Sequence, residues 1–270
     1  MSTQVDLFTN VEPTSVSPAI AKPFVSRSTF YQGDCLVEMD KIADKSVDMI
    51  LCDLPYGTTA CKWDSILPLD ILWKHYERIL KDDGVIALTA SQPFTSNLVM
   101  SNINWFKYEW IWHKNMGGNF MAATKQPMKQ HESILVFYKK FGTYNFIKED
   151  RMQSGLDRVR SSPVKGGGAK DESVYGKRER TIKKYDDKRF PQSVQFFNVE
   201  RGLHSTQKPV PLMEYLIKTY TNEGETVLDN CMGSGTTGVA CKKTGRHFIG
   251  IEKDEKYYNV AVRRVSEYCG

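Results

Sequence analysis

The sequence predicts an α/β fold: a doubly wound, mainly parallel sheet with helices on both faces. Three observations lead there. From Phe30 onward, short apolar runs alternate with helix-like segments, the pattern of βαβ units. One apolar run, Val47 to Cys52, ends in the turn Asp53-Leu54-Pro55-Tyr56-Gly57. Another ends in Asp229-Asn230-Cys231-Met232 and a glycine-rich turn, Gly233-Ser234-Gly235-Thr236-Thr237-Gly238. Open α/β sheets bind ligands beyond the carboxyl ends of their strands, so both turns are candidates for a site.

The elements follow in order. Residues 1–28 are rich in Ser, Thr and Pro with little periodic apolar content, and are expected to form a mobile arm. Val47–Leu51, Val85–Thr89, Tyr108–Trp112 and Ile134–Tyr138 read as strands, and Leu67–Leu80 reads as an amphipathic helix between the first two. Between Lys140 and Arg201 apolar periodicity fades and Lys or Arg recurs. Gly166-Gly167-Gly168 stands in its middle, where no regular element tolerates it, so 140–201 reads as an insertion. Beyond it, Pro211–Tyr220 suits a helix with Pro in its first turn. Thr226–Leu228 and His247–Ile251 read as strands flanking a helix that starts near Thr236.

Composition narrows the function classes. A chain of 270 residues, 40% hydrophobic and 26% charged, fits one soluble domain with an insertion. No apolar stretch approaches the ~20 residues that span a bilayer, and the N-terminus has no apolar signal region, so a cytoplasmic protein without a membrane partner is expected. The six cysteines form no C-x-x-C pair; they read as reduced thiols, with neither a disulfide frame nor a metal site. A formal net charge of +5, with its lysines and arginines crowded into 140–201, points to a polyanionic partner.

The glycine turn matches the G-x-G-x-x-G fingerprint, a weak signal alone. Glycines let the chain turn sharply from strand to helix and let a ligand approach the backbone. Glu252 ends the next strand, about 20 residues on, where a carboxylate accepts both ribose hydroxyls. NAD and S-adenosylmethionine (AdoMet) both suit that geometry. A dinucleotide needs a second mononucleotide half, for which the 270 residues leave no room downstream, and this favours AdoMet. The first turn suits another task. An exocyclic base amine is a poor nucleophile because its lone pair is delocalised into the ring. Hydrogen bonds from its N–H groups to the Asp53 carboxylate and the Leu54 carbonyl localise that pair. Pro55 holds Leu54 extended and so aims the carbonyl, and Tyr56 suits stacking on a base extruded from a duplex. A plain turn ending a strand, with Tyr56 in the core, is the structural alternative.

These motifs, with the chemistry preceding the cofactor loop, resemble the beta class of amino-methylating DNA methyltransferases, the N6-adenine/N4-cytosine family, whose fold is circularly permuted. The resemblance runs from Tyr31 to Val265. It implies a catalytic half over 29–139, a target-recognition insertion over 140–201 and an AdoMet-binding half over 202–270. In the segment His204-Ser205-Thr206-Gln207-Lys208-Pro209, it implies Thr206 and Lys208 at the cofactor's carboxylate. It implies Asp229 at the ammonium, Cys231, Gly233, Gly235, Thr236 and Thr237 along the loop, and Glu252 and Lys253 at the ribose end. Tyr31-Gln-Gly33-Asp34-Cys35-Leu36 resembles the adenine-contacting piece, with a simple helix cap as the equal alternative for Asp34. Trp112-His-Lys114, Lys125-Gln-Pro127 and His131-Glu132-Ser-Ile-Leu-Val-Phe-Tyr-Lys139 resemble the part opposite the catalytic motif. Lys114 and the Gly117-Gly118 loop are then candidates for the flipped-base pocket, against a solvated lysine beside a hairpin. His131 is expected to orient structure. Arg158, Arg160, Arg178, Arg180 and Arg189 are candidates for contact with double-stranded DNA.

Two positions depart from the family pattern: Leu54 stands where Pro is usual, and Asn230-Cys231 where Pro-Phe is usual. Asp at the head of the catalytic motif leans toward adenine N6 over cytosine N4. An RNA or protein methyltransferase, a catalytically idle DNA-binding relative and an NAD oxidoreductase are the competing readings. A homodimer and a companion restriction nuclease are compatible with the resemblance.

Overall fold

The computed structural model describes residues 26–57, 65–152, 156, 172–173, 176–177, 187–200, 202 and 207–268. In chain order the first half runs β1 (Ser28–Gln32), α1 (Cys35–Glu38), β2 (Val47–Cys52), α2 (Leu69–Ile79), β3 (Leu80–Ala90), α3 (Phe94–Ser101), β4 (Phe106–Gly118) and β5 (Lys129–Phe137). Four two-residue strands follow: β6 (Glu149–Asp150), β7 (Glu172–Ser173), β8 (Gly176–Lys177) and β9 (Lys188–Arg189). Then come β10 (Val194–Phe197), α4 (Val210–Tyr220), β11 (Thr226–Asp229), α5 (Thr236–Thr244), β12 (His247–Glu252) and α6 (Glu255–Ser266).

Eight of these strands form one sheet in the order β1-β12-β11-β2-β3-β5-β4-β10. Its neighbours are parallel except where β5 runs antiparallel to β3 and β4. At its centre β2 lies beside β11, with Val227 opposite Met49 and Leu228 opposite Ile50. The sequence of β2 is a nearly unbroken apolar run because both faces of a central parallel strand are covered. Its side chains alternate between the two cores. Ile50 and Cys52 join Leu72, Tyr76 and Ile79 of α2 on one face, while Met49 and Leu51 join Leu212, Leu216 and Ile217 of α4 on the other. The doubly wound architecture follows from that alternation. No described helix is long and apolar enough to cross a membrane.

Three details differ from the sequence expectation. Residues 1–25 of the expected arm lie outside the described residues, but Ser28 already belongs to β1, and Phe248 N donates to Arg27 O at 2.8 Å. Edge pairing, not apolar periodicity, orders that stretch. The strands β4 and β5 extend past Trp112 and begin before Ile134, forming a hairpin whose outer part is polar and half-exposed. Backbone pairing sustains it there, so hydrophobic pattern could not mark its ends. Finally, β10 lies within 140–201 yet pairs with β4, Val194 opposite Ile111. The end of the basic stretch is therefore a strand of the main sheet.

Candidate active site

Because β1, β12, β11 and β2 are parallel, the segments that follow them emerge at one edge. They line a cavity of about 510 Å³, within the range of small-molecule sites. Asp53, Leu54, Pro55 and Tyr56 come from the end of β2, and Asp229 to Ser234 from the end of β11. Glu252, Lys253 and Asp254 come from β12, and Gly33, Asp34 and Cys35 from β1. Glu132, Gln207, Lys208, Thr236 and Thr237 also reach it. The two motifs, far apart in sequence, thus share one cleft.

The Asp53 carboxylate is held from several sides. Its Oδ1 accepts from Tyr56 Oη at 2.7 Å and from Thr89 Oγ1. Its Oδ2 accepts from Lys208 Nζ at 2.5 Å. Burial pushes the Tyr56 phenol well above its usual range, so it remains a donor. The Tyr56 ring lies on Phe94 with centroids 5.4 Å apart and planes 23° from parallel, which leaves one ring face at most for a base. Leu54 is buried in the core beside α2, and that packing explains an apolar side chain where the family usually has Pro. Lys208 is only 6% exposed; burial works against its charge, but Asp53 and Glu132 outweigh burial and hold the ammonium above the ordinary lysine value. Glu132 is paired with Lys114, whose ammonium stands 4.6 Å from the Trp112 ring centroid.

The cofactor side is built on backbone turns. Gly233 has φ of 50°, and no atom lies within 4 Å of where a Cβ would stand, so its backbone faces open cavity. Gly235, with φ of 80°, is the N-cap of α5; a Cβ there would come within 3.0 Å of Ala261. Gly233 N donates to Glu252 Oε2 and Asp254 N to Oε1, both at 2.8 Å, which fixes the carboxylate at the cavity wall. Asp229 Oδ1 accepts from Cys231 N at 3.1 Å and Oδ2 from Thr237 Oγ1 at 2.6 Å. Burial pushes the Asp229 carboxyl up to about 6 and raises Glu252 as well. An incoming cation beside Asp229 would offset that cost. Open acceptor sites on two wall carboxylates and a bare glycine backbone fit a cofactor with an ammonium and a ribose diol.

Other predicted residues have partners of their own. Asp34 caps α1 by accepting from Leu36 N at 3.1 Å and also accepts from Lys253 Nζ at 3.0 Å, while still lining the cavity. The cap reading thus holds, without removing Asp34 from the site. The Cys35 and Cys231 thiols line the cavity and are pushed above their usual range, Cys35 first by its contact with Cys231 and then by burial. Thr236 Oγ1 accepts from Arg264 at 3.2 Å. Of the DNA candidates, Lys114 is paired with Glu132, and Arg189 with Glu149 at 3.2 Å. Thr206, Arg158, Arg160, Arg178 and Arg180 lie outside the described residues.

Sequence reasoning did not assign Glu132, Thr89, Phe94 or Tyr76 to the site. Two signals were present: Thr89 is a lone hydroxyl closing the run Val85–Leu88, and Glu132 precedes the fully buried run Ile134–Phe137. Tyr76 Oη donates to Asn230 Oδ1 at 2.7 Å, both groups buried. That bond accounts for a polar residue where the family usually carries Pro.

A mainly parallel sheet with a nucleoside-sized cleft at its strand ends, a glycine turn and an acid one strand later define an AdoMet-dependent methyltransferase fold. Comparison with known proteins narrows the class. Residues 47–263 match the N6/N4-type family model described as DNA methylase, and the chain belongs to that family. It is similar to the type II methyltransferase M1.MboII of Moraxella bovis, 27% identical, covering 86% of this chain and 94% of that protein. It is also similar to the DNA adenine methyltransferase YhdJ of Escherichia coli (strain K12), 28% identical over 88% of this chain and 82% of that one. The fold matches the crystal structure of the M1.HpyAVI–SAM complex with a TM-score of 0.58 at 24% identity, covering 88% and 99% of the two chains. It matches PvuII cytosine-N4 DNA methyltransferase with a TM-score of 0.63 at 15% identity, covering 88% and 86%.

Proposed function

We propose that this protein transfers a methyl group from AdoMet to the N6 amine of an adenine turned out of double-stranded DNA. The observation that carries the reading is the shared cleft: Asp53, oriented by Tyr56, Thr89 and Lys208, opens on the same cavity as Asp229, Gly233 and Glu252. When bound, AdoMet supplies an electrophilic methyl on a sulfonium. Asp229 takes the ammonium of its amino-acid end, Glu252 the ribose hydroxyls, and Asp34 with Cys35 the adenine end. Asp53 and the Leu54 carbonyl accept the two N–H groups of the target amine, which localises the nitrogen lone pair. Holding that nitrogen in the same cleft as the methyl donor would supply much of the rate. Tyr56, stacked on Phe94 and with the Lys208 ammonium 5.7 Å from its ring centroid, is assigned to the pocket of the flipped base.

Lys114, Arg189 and the basic residues Arg158, Arg160, Arg178 and Arg180 are assigned to DNA contact, affinity coming from phosphates and sequence from base edges. An Asp at the head of the catalytic turn and the adenine specificity named for YhdJ support adenine over cytosine. The catalytic half precedes the cofactor half in the chain, which supports a circularly permuted order. The reading places the protein in the cytoplasm, as monomer or homodimer.

Nucleoside mass spectrometry of DNA treated with the protein and AdoMet tests it; N6-methyladenine is expected, and N4-methylcytosine alone would overturn the base assignment. Asp53→Ala should abolish methyl transfer while gel-shift and AdoMet titrations stay near wild type. Transfer by that variant at the wild-type rate would remove Asp53 from the mechanism.

A further inference from the structure

Lys208 belongs to a segment whose resemblance assigns it to the cofactor's carboxylate, yet its ammonium is committed elsewhere. Nζ lies 2.5 Å from Asp53 Oδ2 and 3.4 Å from Glu132 Oε2, with the side chain 6% exposed. Glu132 Oε2 is itself buried and has no hydrogen-bond partner among the described residues; Lys208 is the cation that faces this oxygen, while Lys114 pairs with Oε1. A buried cation bracketed by two carboxylates is not free to turn toward a third without leaving Asp53 with no cation in contact and Glu132 with Lys114 alone, a destabilising loss.

The acceptor count on Asp53 gives this arrangement a purpose. An ionised carboxylate offers about four lone-pair sites. Tyr56 and Thr89 occupy the two on Oδ1, and Lys208 occupies one on Oδ2. A single site remains, on Oδ2, for an N–H of the target amine. We propose that Lys208, anchored by Glu132, is a positioning residue that holds Asp53 so that this one lone pair faces the target amine, and that it does not bind AdoMet. The inference rests on the methyl-transfer function proposed above. Lys208 never touches the reacting atoms; it acts through Asp53.

The charged and titratable groups around the carboxylate are Cys52 from the end of β2, Tyr56 from its own turn, Lys208 from the segment before α4, Glu132 from β5 and Asp229 from the end of β11. Behind Glu132 stands Lys114 of β4. Lys208 is thus the one described cation in direct contact with Asp53. Without it, the Asp53 carboxylate faces two further acidic groups, Glu132 and Asp229, with no cation in contact.

The test compares wild type with Lys208→Met and Lys208→Arg, using the full chain and DNA carrying the mapped site. Calorimetry should find AdoMet affinity within about twofold of wild type in both variants. Single-turnover transfer by Lys208→Met should fall at least tenfold with both ligands saturating. The acid limb of its pH–rate profile should move to higher pH, and Lys208→Arg, which keeps the charge, should return the limb toward wild type. AdoMet affinity weakened tenfold in Lys208→Met, with transfer at saturation unchanged, would overturn the inference and return Lys208 to the cofactor. So would a lower rate with an unmoved acid limb. A Lys208→Met protein that does not fold leaves the decision to Lys208→Arg, where unchanged AdoMet affinity and an unshifted limb are required. If wild type transfers no methyl to any DNA, the proposed function fails first, and that outcome is separate from every variant comparison.

Discussion

Asp229 carries a cost in the free protein that an asparagine at its place would remove. Burial raises its carboxyl from 3.8 to about 6 despite bonds from Thr237 and Cys231. At a neutral pH that rise corresponds to about 3 kcal/mol against the folded state, at 1.36 kcal/mol per tenfold change in proton affinity. Asparagine keeps the acceptor for Cys231 N, but it makes the Thr237 hydroxyl turn from donor to acceptor, at about 1 kcal/mol. Asp229→Asn should therefore stabilise the cofactor-free protein by about 2 kcal/mol near pH 7.5, or about 5 °C in melting temperature for a domain of this size. Because the folded value is raised, wild type loses stability as pH rises from about 4 through about 6, whereas the variant does not. The gain should accordingly shrink below about 1 kcal/mol at pH 5. Thermal unfolding at the two pH values reads this directly. Added AdoMet should raise the melting temperature of wild type and leave the variant unmoved. A variant less stable than wild type near neutral pH, or one with the same gain at both pH values, would refute the reasoning.

Glu252→Ala removes the acceptor for the ribose hydroxyls and leaves Gly233 N without its partner; AdoMet affinity by calorimetry should weaken by about 1–3 kcal/mol. Tyr56→Phe keeps the ring on Phe94 but deletes the donor to Asp53 Oδ1, so single-turnover transfer should fall about tenfold, the rate equivalent of one hydrogen bond of about 1.4 kcal/mol. Its DNA affinity in a gel shift should not change. Charge reversal at Arg178 and Arg180 should do the converse, weakening DNA binding and flattening its dependence on salt while leaving AdoMet affinity intact.

Much of this architecture could be read from the chain because central parallel strands must be apolar on both sides. The run Val47 to Cys52 and the pair Thr226–Leu228 and His247–Ile251 announce themselves for that reason, and the neighbouring of β2 and β11 follows from the need to bring two turns together. The helix over Leu69–Ile79 was legible through its buried stripe Leu72, Trp73, Tyr76 and Ile79. What stayed hidden depends on partners distant in sequence. Nothing local to Lys208 says that its ammonium ends on Asp53, 155 positions away, in place of a cofactor carboxylate. Nothing near Asn230 points to the Tyr76 hydroxyl that satisfies it. The polar half of the β4–β5 hairpin and the strand β10 are held by backbone pairing, to which side-chain periodicity is blind.

The placement of β10 at the outer edge of the sheet bears on how such a protein can change over generations. The stretch between β5 and α4 ends at that edge as β10, whereas the cavity opens over β2, β11 and β12 near the middle, with β3, β5 and β4 between. Substitutions and length changes at the rim can therefore accumulate without disturbing the residues that hold the cavity's geometry. A sheet laid out this way lets drift and selection rework its rim while the strand ends that line the cavity are inherited unchanged.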